Sequence, residues 1–302
     1  MSRISVVTIC MENPKELALT CQSVSRQTIR PRRHIVVDSS SSENQEVMRS
    51  IAESNGAAYY WLEPSGTYGA MARGLEELAQ HDYVIFLNAT DRFAGKRTIE
   101  LAERCLHLLE NDGANVVWGI GKTVVSDQRV PYFLRFAGSG EKMWRMLSRG
   151  SVGIAHPSMV ALVWPIRDSG IFERRWDVSL DYELSLELGK KYGPPALFPF
   201  AVSYYDQNGG SGQKPFITLV SKSKARFRVL GIRGTLAVAP SLLWAALRFL
   251  IRKGPSGSIT RTLGALLGWE RLALEPNEHF CSMRIDKDFP DCCDQALINL
   301  PA

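Results

Sequence analysis

The side chains able to do chemistry in this sequence sit where apolar runs end. Asp38 closes His34-Ile-Val-Val and opens into Ser39-Ser40-Ser41. A carboxylate there can accept hydrogen bonds from a ribose or a base N–H, or it can cap the following turn. Asp91 follows Leu87-Asn88-Ala89-Thr90. It can hold a divalent cation whose other ligands are phosphate oxygens, with Asn88 adding an oxygen or a hydrogen bond; a turn cap is the plain alternative. Between these two stretches, Glu63-Pro-Ser-Gly66-Thr-Tyr-Gly69-Ala-Met-Ala-Arg73-Gly74 is glycine-rich, but it is neither a P-loop nor a dinucleotide fingerprint. Backbone N–H groups at a helix start suit a pyrophosphate, and Arg73 can pair with the same phosphates. Farther on come His156-Pro157-Ser158 and Asp181-Tyr182-Glu183. Asp181 can take the proton of an attacking hydroxyl or cap a helix; Glu183, two residues on, points to a different face. His156 can line a phosphate or acceptor site, or be structural. Trp118, Trp144, Trp164 and Trp176 can stack on sugar faces or fill the core.

The elements that must position these residues read as alternating strand and helix. Residues 4–9 are short, apolar and β-branched, and Asn13-Pro14-Lys15-Glu16 then reads as a helix start. Further strands are expected at 34–38, 58–62, 83–87, 116–125 and 196–205. Ser39 to Asn44 reads as a polar loop, Val47 and Ile51 mark a helix ending near Gly56, and helices are expected near 70–79, 98–110 and 181–192, whereas residues 132–153 show no clear period. This order predicts an α/β fold with a mostly parallel sheet and helices on both faces. Ligands in such sheets bind beyond the carboxyl ends of the strands, which places Thr8, Asp38, Glu63 and Asn88 to Asp91 there.

A chain of 302 residues with 45% hydrophobic and 22% charged content has enough apolar material for a sizeable core and is not disordered throughout. Cys10, Cys21 and Cys105 lie in apolar surroundings and read as core; Cys281, Cys292 and Cys293 fall in a surface tail, and no spacing resembles a zinc site. The chain enters a strand almost at once, so a cleaved signal is not expected and a cytoplasmic address is. The net charge of +5 is unevenly placed: Lys214 to Trp269 contains no Asp or Glu but ten Lys or Arg, so the rest is net acidic. Within that stretch Leu236 to Ile251 is apolar, too short for a bilayer, and interrupted by Pro240 and Arg248. It reads as helices lying on an anionic membrane surface; a core-packing helical hairpin with a solvated basic face is the alternative. No nucleic-acid-binding motif is present. Three regions follow: residues 1–213, a basic amphipathic helical extension at 214–274, and an acidic, flexible tail at 275–302.

In order along the chain, Ser5-Val-Val-Thr8-Ile, Ser23-Val-Ser-Arg-Gln27-Thr28, Ile35-Val-Val-Asp38, Gly66 to Gly74, Phe86-Leu-Asn-Ala-Thr-Asp91, His156-Pro-Ser, Gly170-Ile-Phe-Glu with Leu180-Asp181-Tyr-Glu-Leu, and Tyr204-Tyr-Asp-Gln-Asn-Gly-Gly-Ser211 together resemble the large inverting glycosyltransferase family called family 2, of GT-A (Rossmann-like) fold. The likeness spans roughly residues 3–212, and eight weak motifs in the right order outweigh any one alone. It implies transfer of a sugar from a nucleoside-diphosphate sugar to an acceptor hydroxyl, in cell-surface polysaccharide or glycolipid synthesis at the inner face of the plasma membrane. It further implies Asp181 as the base, Asp91 as ligand to Mg²⁺ or Mn²⁺, and a donor site at Thr8, Glu12, Asp38, Gly66, Arg73, Asn88 and His156. The sequence departs from the pattern where Asn88 and Thr90 replace frequent aspartates, and where Glu12, Gly69, Ala72 and Glu187 replace other common residues. A non-catalytic nucleotide-sugar-binding assembly protein of the same fold is the second expectation; a nucleotidyltransferase is disfavoured because its N-terminal phosphate loop is absent.

Overall fold

The computed structural model describes residues 2–126, 132–133, 138–173, 179–206 and 215–236. Its elements run β1 (Ile4–Cys10), α1 (Pro14–Ser25), β2 (His34–Asp38), α2 (Ser42–Ser54), β3 (Ala58–Trp61), α3 (Thr67–Glu76), β4 (Tyr83–Asn88), β5 (Arg92–Phe93), α4 (Thr98–Asn111), β6 (Trp118–Ser126), β7 (Tyr132–Phe133), α5 (Gly140–Ser148), β8 (Met159–Leu162), α6 (Val163–Ser169), α7 (Leu180–Tyr192), β9 (Ala196–Asp206) and α8 (Pro215–Leu236), with short 3₁₀ turns at His156–Ser158 and Ile171–Glu173.

One sheet runs through the described residues in the order β3-β2-β1-β4-β8-β6-β9-β5, with β7 beside β6. The first four strands pair in parallel, as strands joined through helices must. Beyond β4 the sheet is mixed. β8 is antiparallel to both β4 and β6, while β9 is again parallel to β6. The six longer-spaced strands therefore share one direction, and the short β5, β7 and β8 run against it. The expected mostly parallel sheet holds in that sense, with antiparallel insertions the sequence pattern did not reveal.

Alternation along the central strands feeds two apolar layers, as the two-residue period of a strand requires. Val7 and Ile9 of β1 and Val84 and Phe86 of β4 face α3, α6 and α7. Ile4 and Val6, with Ile85 and Leu87, face α4. Leu17 and Cys21 of α1 pack with Val36, Met48 and Ala52 on that second side. Because the central strands are buried on both faces, they read in sequence as continuous apolar runs. Cys10, Cys21 and Cys105 are buried free thiols, as expected.

Two expectations change. Residues 140–148 form helix α5, whose Met143 and Leu147 are buried one turn apart and whose Ser139 side chain accepts a hydrogen bond from the Lys142 N–H. In addition, α8 does not stand apart from the sheet domain, because its Ala225 and Val229 belong to the larger core layer. The extension beyond 236, the tail with Cys281, Cys292 and Cys293, the 208–212 loop and Trp176 lie outside the described residues.

Candidate active site

Four strands deliver their carboxyl ends to one edge of the sheet: β1 at Cys10, β2 at Asp38, β3 at Trp61 and β4 at Asn88. β8 runs the opposite way, so its beginning lies at this same edge. The 3₁₀ turn before it thus brings His156 alongside the end of β4, and the first turn of α7 brings Asp181.

The centre of the site is His156. Its Nε2 lies 3.6 Å from Asp91 Oδ2 and its Nδ1 lies 4.0 Å from Asp181 Oδ2, so one imidazole stands between two carboxylates. Asp91 is 1% exposed and His156 13%, whereas Asp181 is 28% exposed and meets solvent. Burial lowers the His156 pKa, against a smaller upward pull from Asp181, which favours the neutral ring.

Each member is braced. Asp91 closes its own turn, its N–H donating to the Asn88 carbonyl at 2.8 Å and its Oδ2 accepting from the Asn88 N–H at 3.3 Å. Thr20 of α1 donates to the Asp91 carbonyl at 2.7 Å. Gln27, at the end of α1, donates to the Gly95 carbonyl at 2.7 Å and accepts from the Ile99 N–H at 3.1 Å, tying the stretch after Asp91 to α4. His156 is held through Ser158, whose hydroxyl meets Ser203 Oγ at 2.6 Å and Thr123 Oγ1 at 2.8 Å and donates to the Lys122 carbonyl at 3.2 Å. Asp181 Oδ1 accepts from the Tyr182 N–H at 2.8 Å, leaving Oδ2 towards His156.

The remaining predicted residues are distributed around this centre. Asp38 is fully buried; Oδ1 accepts from the Ser40 N–H and hydroxyl at 2.9 and 2.6 Å, and Oδ2 from the Tyr59 hydroxyl at 2.7 Å. It therefore caps its turn. Thr8 lies two residues short of the end of β1, and its hydroxyl is engaged with His34 Nε2 at 3.0 Å in the core. Glu12 is the one non-glycine residue with positive φ, +56°, among those described. Its carboxylate accepts from the Ser41 N–H and the Asn44 amide, joining the loops after β1 and β2 and lowering its pKa. Gly66 is the residue before α3 and its carbonyl accepts from the Ala70 N–H. Arg73 departs from expectation: it lies in the last turn of α3, not at its start, 2.7 Å from Glu77 and over the Tyr60 ring at 4.6 Å. Trp118 donates to the Gly193 carbonyl, Trp144 packs on Gly189 and Trp164 stands edge-on to Tyr192, so these three serve packing. Glu183 is buried and bound by Arg228 at 2.6 Å, on the far side of α7 from the site.

A metal of the kind expected here needs one or two carboxylates and takes phosphate oxygens for the rest. Among the described residues no cluster of three acidic, His or Cys side chains stands ready to enclose an ion. The donor set nevertheless fits that smaller demand. Asn88 Oδ1 and His156 Nε2 are buried without a hydrogen-bond partner beside the Asp91 carboxylate.

The family model for glycosyl transferase family 2 matches residues 5–158, half of the chain. The chain belongs to glycosyl transferase family 2. As a family 2 member it is a nucleotide-sugar-dependent glycosyltransferase. No curated protein matches it. Among solved structures it is similar to TarS residues 1–349 of S. aureus, at 13% identity and a TM-score of 0.58 over 84% of this chain and 74% of that one. It is also similar to the complex of that protein with UDP-GlcNAc, at 12% identity and a TM-score of 0.56 over 80% and 71%. A third is the mannosyltransferase PcManGT from Pyrobaculum calidifontis in complex with GDP-Man and Mn²⁺, at 14% identity and a TM-score of 0.50 over 89% and 81%. At such identities these likenesses concern the fold.

Proposed function

We propose that this family 2 enzyme moves a hexosyl group from a nucleoside-diphosphate sugar to an acceptor hydroxyl with inversion, and that Asp181 is the base. The observation that carries this reading is the His156 imidazole set between a buried and a solvent-facing carboxylate. The solvent-facing Asp181 is placed to take the acceptor proton as the hydroxyl oxygen attacks the anomeric carbon. The bond from that carbon to the diphosphate breaks on the opposite side, and the nucleoside diphosphate leaves. A neutral His156 donates a hydrogen bond from one ring nitrogen and accepts one at the other, so it orients a neighbouring oxyanion without adding a charge. Asn88, Asp91 and His156 would hold Mg²⁺ or Mn²⁺, which neutralises developing charge on a departing diphosphate. Glu12, with the turn that the buried Asp38 caps at the end of β2, is assigned to the base and ribose. Gly66 is assigned to the diphosphate, with Thr8 and Arg73 supporting these loops from behind.

UDP- and GDP-sugars are the donors to try first, since the similar TarS and PcManGT structures hold UDP-GlcNAc and GDP-Man. A glycan or lipid-linked acceptor, and work at an anionic membrane face, are supported by α8. Val220, Lys224, Phe227 and Arg228 are exposed on it at one-face spacing, ahead of the kink at Gly231 and within the acid-free stretch. No helix among the described residues is long and apolar enough to cross a membrane. The test is release of nucleoside diphosphate from a donor panel by wild type and Asp181→Asn. Loss of release by a hundredfold or more, roughly the contribution of a general base, with donor affinity kept, supports the assignment; full activity in the variant removes Asp181 from it. The same assay separates an active transferase from a binding protein.

A further inference from the structure

We infer that Arg226 and Lys222 of α8, under the turn from Gly150 to Gly153, form a subsite for a phosphate group carried by the acceptor; this rests on the transferase reading above.

Arg226 is a buried arginine with no carboxylate to balance it among the described residues. Arg226 is 3% exposed. Its polar contact is weak, from Nη1 to the Tyr182 hydroxyl at 3.4 Å, and its Nε has no hydrogen-bond partner among the described residues. It has no acidic partner among the described residues. Glu183, on the neighbouring helix α7, is taken by Arg228, which is the more exposed of the two arginines. A fold arranged for stability would put the carboxylate against the buried cation, because an isolated buried charge is costly. The reverse arrangement leaves a guanidinium fork waiting for an anion. Lys222, one turn earlier, adds an ammonium on the same side, 5.5 Å from the Tyr182 ring centroid.

The backbone over these cations is shaped to them. Gly150 has φ +66°, and a Cβ there would come within 1.7 Å of Arg226 Nη1, so only glycine admits the guanidinium at this approach. Gly153 lies over Lys222, where a Cβ would sit 3.5 Å from Nζ. Lys222 itself is half-buried.

Position assigns the subsite to the acceptor. Both cations meet Tyr182, the residue after Asp181, and Gly153 is three residues before His156. The nucleotide loops lie across the site, at β1 and β2. A planar two-pronged guanidinium with an ammonium beside it suits a tetrahedral phosphate.

The test titrates the full chain with inorganic phosphate, at fixed ionic strength and with saturating nucleoside diphosphate so that the donor site is filled. Wild type is expected to bind one phosphate. Lys222→Gln is expected to weaken it about tenfold, the scale of one lost charge-assisted hydrogen bond, with unchanged thermal midpoint and nucleotide affinity. Arg226→Lys, which keeps the charge but loses the fork, should weaken it as well. Glycerol 3-phosphate competing in the same Lys222-dependent way assigns a soluble acceptor; Lys222-dependent binding only to phosphatidylglycerol vesicles assigns a lipid phosphate. No phosphate binding by the folded wild type, or equal affinity in wild type and both variants, overturns the subsite. Failure of every nucleoside diphosphate to bind, with Lys222-dependent phosphate binding intact, would instead remove the transferase reading and leave the anion site.

Discussion

His156 decides how the carboxylates beside it behave. Burial lowers its pKa and so favours the neutral ring, and the solvent-facing Asp181 turns Oδ2 towards it. His156→Ala is expected to lower turnover by roughly a hundredfold, within the range general for a group that orients proton transfer, while leaving the fold intact; circular dichroism and steady-state rates check both parts. Asp91 and Asp181 were legible in the sequence because each stands at the end or start of a periodic segment, and His156 because of its His-Pro-Ser motif. That one imidazole joins the two carboxylates was not, since the three are brought together by strand direction, not by spacing. The partners of Asp38 and Thr8 were equally hidden: a strand pattern says that a residue is inside, but not that Ser40, Tyr59 or His34 will engage it.

At the scale of elements, the N-terminal half was readable because buried parallel strands are continuous apolar runs separated by amphipathic helices. β8 was missed because four residues between a turn and a helix carry too little period to register. Its reversed direction nonetheless puts His156 at the same sheet edge as Asp91 and Asp181. The Ser158 hydroxyl cluster fastens that turn to β6 and β9. Ser158→Ala, which leaves buried hydroxyls of Thr123 and Ser203 with fewer partners, should cost about 1–2 kcal/mol and reduce activity by loosening His156; urea unfolding and kinetics on the same sample test it. α5 was discernible after all, in the Ser139 cap and the Met143 and Leu147 pair, but its short length concealed it. Helix α3 crosses β1 at Gly74, where a Cβ would stand 2.3 Å from Val7 Cγ1. Gly74→Ala is therefore expected to destabilise by about 1–3 kcal/mol through overpacking, seen as a lowered thermal midpoint.

For the whole molecule, the basic segment proves to have two sides. Ala225, Val229 and Arg226 of α8 turn inward, whereas Phe227 and Ile232 face out. Cutting the chain before α8 would open the core, so the membrane proposal is better tested by ending it after Leu236. That truncation should keep the thermal midpoint and weaken binding to anionic vesicles; unchanged sedimentation with vesicles would count against the surface role of the extension. Burial of His34 also makes the fold sensitive to acid. His34 is pushed down to about 3 by burial. The unfolded chain takes up its proton near the ordinary histidine value while the folded chain does not. Stability is thus complete above that value and falls as pH drops towards about 3, by up to ~1.4 kcal/mol per pH unit for this one group. Unfolding curves across that window measure the slope. The central claim is that the donor diphosphate sits at Asn88, Asp91 and His156, with Asp181 across from it. Calorimetric titration of UDP and GDP with and without Mn²⁺ tests it most directly, in wild type, Asp91→Asn and Asp181→Asn. The expected result is Mn²⁺-dependent binding of one nucleotide, weakened tenfold or more, roughly one lost charged contact, in Asp91→Asn and unchanged in Asp181→Asn. Binding of neither nucleotide, or equal affinity in Asp91→Asn and wild type, would contradict it.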